Sequence, residues 1–315
     1  MTNKRVSDLG EFGLIARLRD ATSVSARVVE GIGDDAAVLE GPERGRLLLF
    51  ACDTIAEGVH FVADDPPEQV GRKALACNLS DIAAMGGVPR AATVSLGCAP
   101  ETPVETVDAL WSGMRALAAD FDVDVVGGDV HRSTHGLVLS VAILGEVERE
   151  LCVLRRGATP GDFVIVTGPL GGSRAGRHLT FTPRVREGRW LAEHRLVNAM
   201  IDLSDGLASD LHRLCEASGV GAELEAARIP ISDAAAADAS AERTALERAL
   251  FDGEDFELLA TIAPVRVDEA AADYLDAFGQ QLHVLGRIAA EPDVIVIDHV
   301  GTAQKLRPGG FDHFG

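Results

Sequence analysis

The sequence predicts an α/β protein of two domains, and three observations lead there. The chain has 315 residues, more than the roughly 100–200 usual for one domain. Short apolar runs of strand length alternate with longer helix-like stretches in both halves. One segment, Arg155–Asp162 (RRGATPGD), concentrates turn residues and divides the chain into residues 1–150 and 151–315.

In the first half, Arg46–Cys52 (RLLLFAC) reads as a buried strand and Glu68–Met85 as a helix closed by Gly86-Gly87. Ala91–Leu96 is a strand, Val104–Ala119 a helix, and Val123–Val126 a strand running into Gly127-Gly128-Asp129. Leu137–Val147 follows as a longer strand. In the second half Phe163–Thr167 is a strand, followed by a Gly-rich loop and a helix. Ala199–Leu203 reads as a strand and Leu207–Ser218 as a helix. Short strands follow near 221–225, 256–262, 282–288 and 293–298, and the Ala-rich, acidic stretch Ser232–Leu250 reads as loop and surface helix. Leu-Ser-Asp occurs at 79–81 and again at 203–205, too short an echo to mark a duplication.

Composition narrows the function. Hydrophobic residues make up 47% and charged residues 25%, which excludes a wholly disordered chain. Aromatics are only 4%, so Ala, Val, Leu and Ile must build the core. The formal net charge is −20, from 49 acidic against 29 basic residues. A surface of that sign argues against nucleic-acid or anionic-membrane partners. Five scattered Cys without a C-x-x-C pair fit a reducing compartment better than a disulfide framework or a zinc site. The polar start MTNKRVSDLG does not resemble a signal peptide, and no apolar run reaches the roughly 18 residues of a membrane span. A cytoplasmic location is the expectation.

Carboxylates carry the strongest chemical signal. Asp34-Asp35 in GIGDDAAVL, Asp53 in FACDT, Asp81 in NLSDIAAMG, Asp129 in VVGGD, and Asp202 and Asp205 in MIDLSDG stand where strands end or helices begin, flanked by glycine or apolar residues. A buried carboxylate is costly unless it is paired or coordinates a metal. Oxygen ligands without a Cys/His cluster suit Mg²⁺. The competing reading is helix capping and turn formation, which Asp performs routinely. It is weakest for Asp81, which shares one helical face with Lys73 and Cys77 at i, i+4, i+8.

Val164–Gly176 (VIVTGPLGGSRAG) runs from a strand through glycines toward a helix. Such a loop can offer backbone N–H groups to an anion or simply cap a helix, and both readings stay open. It matches neither of the common nucleotide-binding glycine patterns. His131 and His135 in HRSTH follow a Gly-Gly turn and read as loop; His60 in EGVHF is either a ligand contact or a core histidine. No nucleophile elbow or activated cysteine is present, so covalent catalysis has no candidate.

Taken together, GEFGLIARL, GIGDDAAVL, DTIAEGVHF, KALACNLSDIAAMG, GGD, RRGATPGD, TGPLGGSRAG, PRVREG, IDLSDGL, GEDFELL and the terminal DHF resemble the thiamine-monophosphate kinases. These belong to the superfamily of aminoimidazole ribonucleotide synthetase-like, ATP-using enzymes. The motifs run in one order from Glu11 to Phe314. The resemblance implies an N-terminal mixed-sheet domain for metal and nucleotide that pairs into a barrel-like core of a homodimer. It implies a C-terminal α/β domain carrying the Gly-rich loop and substrate contacts. The implied reaction moves the γ-phosphoryl group of ATP to thiamine monophosphate with several Mg²⁺ ions. By motif position Asp35, Asp53, Asp81, Asp129, Asp202 and Asp205 are the implied metal ligands, with Asp34 a neighbour. Gly128, Asp129, Arg155, Ser204 and Trp111 are the implied nucleotide contacts. His60, Glu254 and Phe311 are the implied contacts to thiamine monophosphate.

The chemistry of the residues agrees. Phosphoryl transfer needs mainly positioning and charge neutralisation. An acceptor phosphate, with a second pKa of about 6, is already ionised at neutral pH and needs no strong base.

The chain departs from the family pattern in three places. The stretch from Gly176 to Pro183 is short, Ala51-Cys52 precede Asp53 where hydroxyl residues are common, and GGFDHF stands for a Trp-containing ending. Other superfamily members fit less well. A selenophosphate synthetase would carry an early reactive Cys or Sec, the hydrogenase-maturation protein a C-terminal Cys, and the ribonucleotide synthetase another glycine motif near its start. A divergent member acting on another phosphorylated metabolite, and a non-catalytic nucleotide-binding paralogue, are the alternatives. Loss of a site Asp would favour the paralogue, and none is missing.

Overall fold

The structure is a computed structural model and describes residues 5–311 together with His313 and Phe314. Asp312 of the terminal Asp-His-Phe motif lies outside the described residues. The first half runs α1 (Gly10–Ala21), β1 (Val28–Glu30), β2 (Ala37–Glu40), β3 (Arg46–Ala56), α2 (Pro67–Ala84), β4 (Val88–Cys98), α3 (Val104–Asp120), β5 (Asp124–Arg132) and β6 (Val138–Glu148). These strands form one sheet in the order β1-β2-β3-β6-β4-β5. Neighbours are antiparallel except β4 and β5, which run parallel across the α3 crossover.

Strands β3 and β6 pair without interruption from Arg46↔Glu148 to Ala56↔Val138. Alternation fixes that register: Leu47, Leu49, Ala51 and Ile55 are buried opposite Leu139, Val141, Ile143 and Val147. The outward residues include exposed Phe50 and Leu144, so the other face of the sheet is partly apolar and open. Strand β3 continues past the expected Cys52 to Ala56, which places Asp53 within the strand rather than at its end. Strand β5 likewise runs through Gly127-Gly128 to Arg132, so His131 is a strand residue and only His135 lies in the loop. A Cβ on Gly128 would stand 1.7 Å from the Val94 carbonyl oxygen. Gly128 therefore permits close strand pairing instead of a turn.

Helix α2 is buried almost all round, the pattern of a helix inside a core. A Cβ on Gly71 would lie 1.8 Å from the Leu110 oxygen, and one on Gly113 would lie 1.8 Å from the Glu68 oxygen. Helices α2 and α3 thus meet backbone to backbone.

The second half runs β7 (Phe163–Val166), α4 (Arg177–Thr180), α5 (Val185–Glu193), β8 (Val197–Asp202), α6 (Leu207–Ser218), β9 (Gly221–Glu225), α7 (Asp233–Ala237), α8 (Ala245–Phe251), β10 (Leu258–Ile262), α9 (Val267–Phe278), β11 (His283–Ala289), β12 (Val294–Ile297) and β13 (Ala303–Lys305). Its mixed sheet has the order β13-β12-β9-β11-β7-β10-β8. Ile165, Met200, Leu258 and Ile262 join the apolar core around α2, whereas Val164, Val166, Ile201 and Leu259 join a second core with Leu207, Leu211 and Leu214 of α6. The shared core packs α2 against strands of both sheets. It delivers the C-terminal end of β8 to the helix face that carries Asp81.

Candidate active site

A cavity of about 1320 Å³ opens between the halves. Its walls come from α1, the turn before β2, β3 and α2, and from Arg155, the β8–α6 loop, Glu254, Phe311 and His313. Asp35, Asp81 and Asp202 converge there, with a carboxylate oxygen of each within 4.8 Å of the others.

Each carboxylate is placed by its own element. Asp34 accepts the N–H of Asp35 at 3.0 Å and that of Arg155 at 3.1 Å, which ties the turn before β2 to the segment after β6. The Arg155 guanidinium donates to Asp35 Oδ1 at 2.6 Å, and Asp35 Oδ2 is buried without a hydrogen-bond partner. Asp81 projects from α2, and its neighbour Ser80 donates to Asp202 at 2.6 Å. The N–H of Asp53 donates to Asn78 Oδ1 at 3.1 Å, so α2 also registers β3.

The cluster carries more negative charge than its surroundings balance. Burial first, then Asp53, Asp202 and Asp35, push Asp81 well above the usual carboxylate range. Burial and Asp35 do the same to Asp202. Burial, with Asp205 and Asp35, raises Asp53 to about 6, and burial with Asp35 raises Asp34 to about 7. Carboxylates that repel one another at the wall of a cleft, one with an unpartnered oxygen, are a donor set for a hard cation. Mg²⁺ fits that set.

Asp205 and Ser204 also line the cleft, but Asp205 is bound to Arg213 at 2.5 Å and lies outside the three-carboxylate cluster. The turn after α8 holds this loop: the Glu254 N–H donates to the Ser204 oxygen at 2.7 Å, and the Phe256 N–H to the Leu203 oxygen at 2.8 Å. Glu254 and Phe256 adopt φ of 55° and 50°, an uncommon conformation for such residues that tends to occur at functional sites. The Phe311 N–H donates to the Asp205 oxygen at 3.2 Å, bringing the C-terminal segment over the same loop.

His60, Glu254 and Phe311 line the far part of the cleft. The His60 ring centroid stands 6.3 Å from that of Phe311 and 5.2 Å from that of His313. The Arg174 guanidinium carbon lies 5.5 Å from the centre of the Phe311 ring. Burial, more than any charge, lowers His60 to about 4, so it is neutral at neutral pH.

Three of the residues singled out in the sequence stand apart. Gly128 and Asp129 lie on exposed β5, at the edge of the sheet, and Trp111 lines a separate surface cavity with Arg115 on α3. The Gly-rich loop uses its N–H groups internally: Gly171 donates to both Asp255 oxygens at 2.9 Å and Gly172 to Asp252 at 3.0 Å. Of the two readings of that loop, these bonds support the internal turn, because an anion would have to displace two carboxylates.

Sequence reasoning did not single out Ser80, His178, Arg174 or Arg213, and it placed Lys73 only on a helix face. Lys73 is fully buried beneath that face. The signal for it was a lysine spaced i, i+4, i+8 with Cys77 and Asp81 among small apolar residues.

Comparison with known proteins decides the family. Residues 33–147 match AIR synthase related protein, N-terminal domain, and residues 159–299 match AIR synthase related protein, C-terminal domain. A thiamine-monophosphate kinase of Rhodopirellula baltica is 39% identical over 311 residues, covering 96% of this chain and 97% of that protein. The chain belongs to the thiamine-monophosphate kinase family. A second member of the thiamine-monophosphate kinase family, from Escherichia coli K12, is 36% identical and covers 97% of this chain and 98% of its own length. A solved structure described as AaThiL complexed with AMPPCP and TMP superposes with a TM-score of 0.85 at 32% identity, over 99% of this chain and all of that one. Escherichia coli HypE, a hydrogenase maturation protein, shares the fold at 18% identity with a TM-score of 0.73 over 96% of this chain and 99% of its own.

Proposed function

We propose that this chain transfers the γ-phosphoryl group of ATP to the phosphate of thiamine monophosphate, giving thiamine diphosphate and ADP. The observation that carries this reading is a single cleft, in a member of this family, that joins the Asp35–Asp81–Asp202 cluster to the His60–Glu254–Phe311 wall. Asp35, Asp81 and Asp202, with Asp53 beside them, are the residues that would hold Mg²⁺, which supplies charge neutralisation to the phosphates when bound.

The remaining work falls to the chain. Arg155 holds Asp35 and, with Ser204, faces the nucleotide end of the cleft. Asp205 is kept in place by Arg213 and adds negative charge beside the cluster. His60, Glu254 and Phe311 receive the acceptor. Its phosphate is ionised at neutral pH, so positioning suffices and no general base is required. Neutral His60 accepts the Ala56 N–H through Nδ1 at 3.1 Å and acts as a wall, not as a proton carrier.

Gly128, Asp129 and Trp111 make their nucleotide and metal contacts in the assembled homodimer. Its interface is the open face and edge of the N-terminal sheet, where Phe50, Leu144, Val126 and Val130 are exposed. No helix among the described residues is long and apolar enough to cross a membrane. The five free thiols suit a cytoplasmic setting.

The test is a chromatographic assay with ATP, Mg²⁺ and thiamine monophosphate. Equal ADP and thiamine diphosphate, no free phosphate and no turnover without Mg²⁺ are expected. ADP formation without thiamine diphosphate would overturn the acceptor assignment. Sedimentation of the protein as a monomer at assay concentration would overturn the homodimer.

A further inference from the structure

Lys73 is fully buried in α2, yet none of its ammonium protons is spare. It donates to the His60 carbonyl at 2.7 Å, to His178 Nδ1 at 2.9 Å and to Glu254 Oε1 at 2.6 Å. Two of these partners, His60 and Glu254, line the cleft, whereas Lys73 and His178 stand behind it. The second carboxylate oxygen, Glu254 Oε2, is buried without a hydrogen bond. Oε2 stands 3.4 Å from His178 Nδ1 and 3.6 Å from the Arg174 guanidinium. His178 comes from α4, inside the short Gly176–Pro183 segment, so that segment reaches back across the domain junction to α2.

We propose that Lys73, braced by His178, is a positioning residue for the acceptor. It clamps Oε1 of Glu254 and the His60 backbone, and so holds in place the wall of Glu254, His60 and Phe311 that faces a flat, cationic, amine-bearing heterocycle. The inference rests on the reading of thiamine monophosphate as acceptor, whose thiazolium and aminopyrimidine rings have that chemistry. A buried ammonium fixes its carboxylate partner in orientation through a charge-assisted hydrogen bond, which a neutral residue of equal size cannot do. Positioning through one carboxylate also predicts selectivity, because the nucleotide end of the cleft makes no contact with Lys73.

The experiment is a cycle of Lys73→Met, Glu254→Gln and the double variant, read by calorimetric binding of thiamine monophosphate and by KM for both substrates. Lys73→Met should weaken acceptor binding about tenfold to a hundredfold, the range of a charge-assisted hydrogen bond. KM for ATP should stay within about twofold of wild type, a change too small to register as a lost contact. Glu254→Gln should weaken the acceptor as much, and the double variant no more than either single one. Full additivity, or equal weakening of ATP, overturns the positioning role. If Lys73→Met leaves an uncompensated carboxylate and does not fold, the double variant carries no buried charge there. Its binding compared with Glu254→Gln alone then decides: equality supports the role and a further tenfold loss overturns it. A wild-type chain that binds thiamine monophosphate but does not turn it over overturns the kinase reading while the binding cycle still tests Lys73. Failure of the wild type to bind overturns both.

Discussion

Arg155 and Asp35, 120 residues apart in the chain, meet at 2.6 Å, and the contact neutralises one side of the carboxylate only. The other oxygen remains buried and unpartnered while Asp81 and Asp202 approach. Asp34 binds the N–H of the same arginine, so the whole turn is locked by side chain and backbone together. A site fixed this firmly around an excess of negative charge is preorganised for a cation rather than folded around its own internal pairs.

Asp81→Asn separates the catalytic role from the structural one. Removing a charge that burial and three other carboxylates oppose should leave the metal-free fold as stable or raise its Tm. Turnover should fall by at least about a hundredfold, the scale of losing one electrostatic contact at a reacting centre. Thermal unfolding without divalent cations, alongside kcat, checks both. Turnover near wild type would remove Asp81 from the metal set.

The acidic cluster also sets a pH dependence. Asp53 stands at about 6 and Asp34 at about 7 against an ordinary 3.8, raised first by burial. Carboxyl groups raised in the fold bind protons more tightly there than in the unfolded chain. Their stabilising contribution is complete below 3.8 and is lost as pH rises through about 6 to 7. Without divalent cation, Tm should therefore fall as pH increases across that window. Mg²⁺ binds the deprotonated groups, so the Tm it restores should be larger at about pH 8 than at about pH 5.5. A gain independent of pH would count against carboxylate ligation.

Phe311→Ala tests the aromatic wall. The ring lies between the Arg174 guanidinium and the His60 and His313 rings, and its backbone is already pinned to Asp205. Truncation should raise KM for thiamine monophosphate about tenfold, from lost stacking and buried area, with little change for ATP. Equal rises for both substrates would show that the C-terminal segment serves the whole cleft.

Much of this fold can be read from the sequence where burial imposes a simple period. Strands β3 and β6 alternate or run apolar, and α2 is a long small-residue helix ended by Gly86-Gly87. Helix α9 is not read from the sequence, because composition hides it: Val267, Ala270, Tyr274 and Phe278 are spaced for one face, but Ala and acidic residues surround them. Helix α1 buries no residue, so packing imposes no period on it. Asp35, Asp53, Asp81 and Asp202 could be picked out as costly carboxylates in apolar surroundings. Their partners could not, because Ser80–Asp202 and Lys73–Glu254 join residues 122 and 181 positions apart. Nor does local sequence tell that Asp255 and Asp252 occupy the Gly-rich loop.

The close contact of α2 with α3 gives the most direct link between packing and the site. Gly71 faces the Leu110 carbonyl and Gly113 faces the Glu68 carbonyl, each with room for no side chain. Gly71→Ala must push the helices apart and should cost about 2 kcal/mol of stability, the scale of overpacking a tight core. Gly113→Ala should cost a similar amount. The double variant should lose less than the sum, because either methyl alone opens the same seam. Helix α2 also carries Lys73, Asn78, Ser80 and Asp81, so displacement of its first turns should lower kcat even though Gly71 touches no substrate. Denaturant unfolding with parallel kinetics provides the check. Full additivity with unchanged kcat would mean that the two contacts are independent and that α2 can shift without moving the carboxylates.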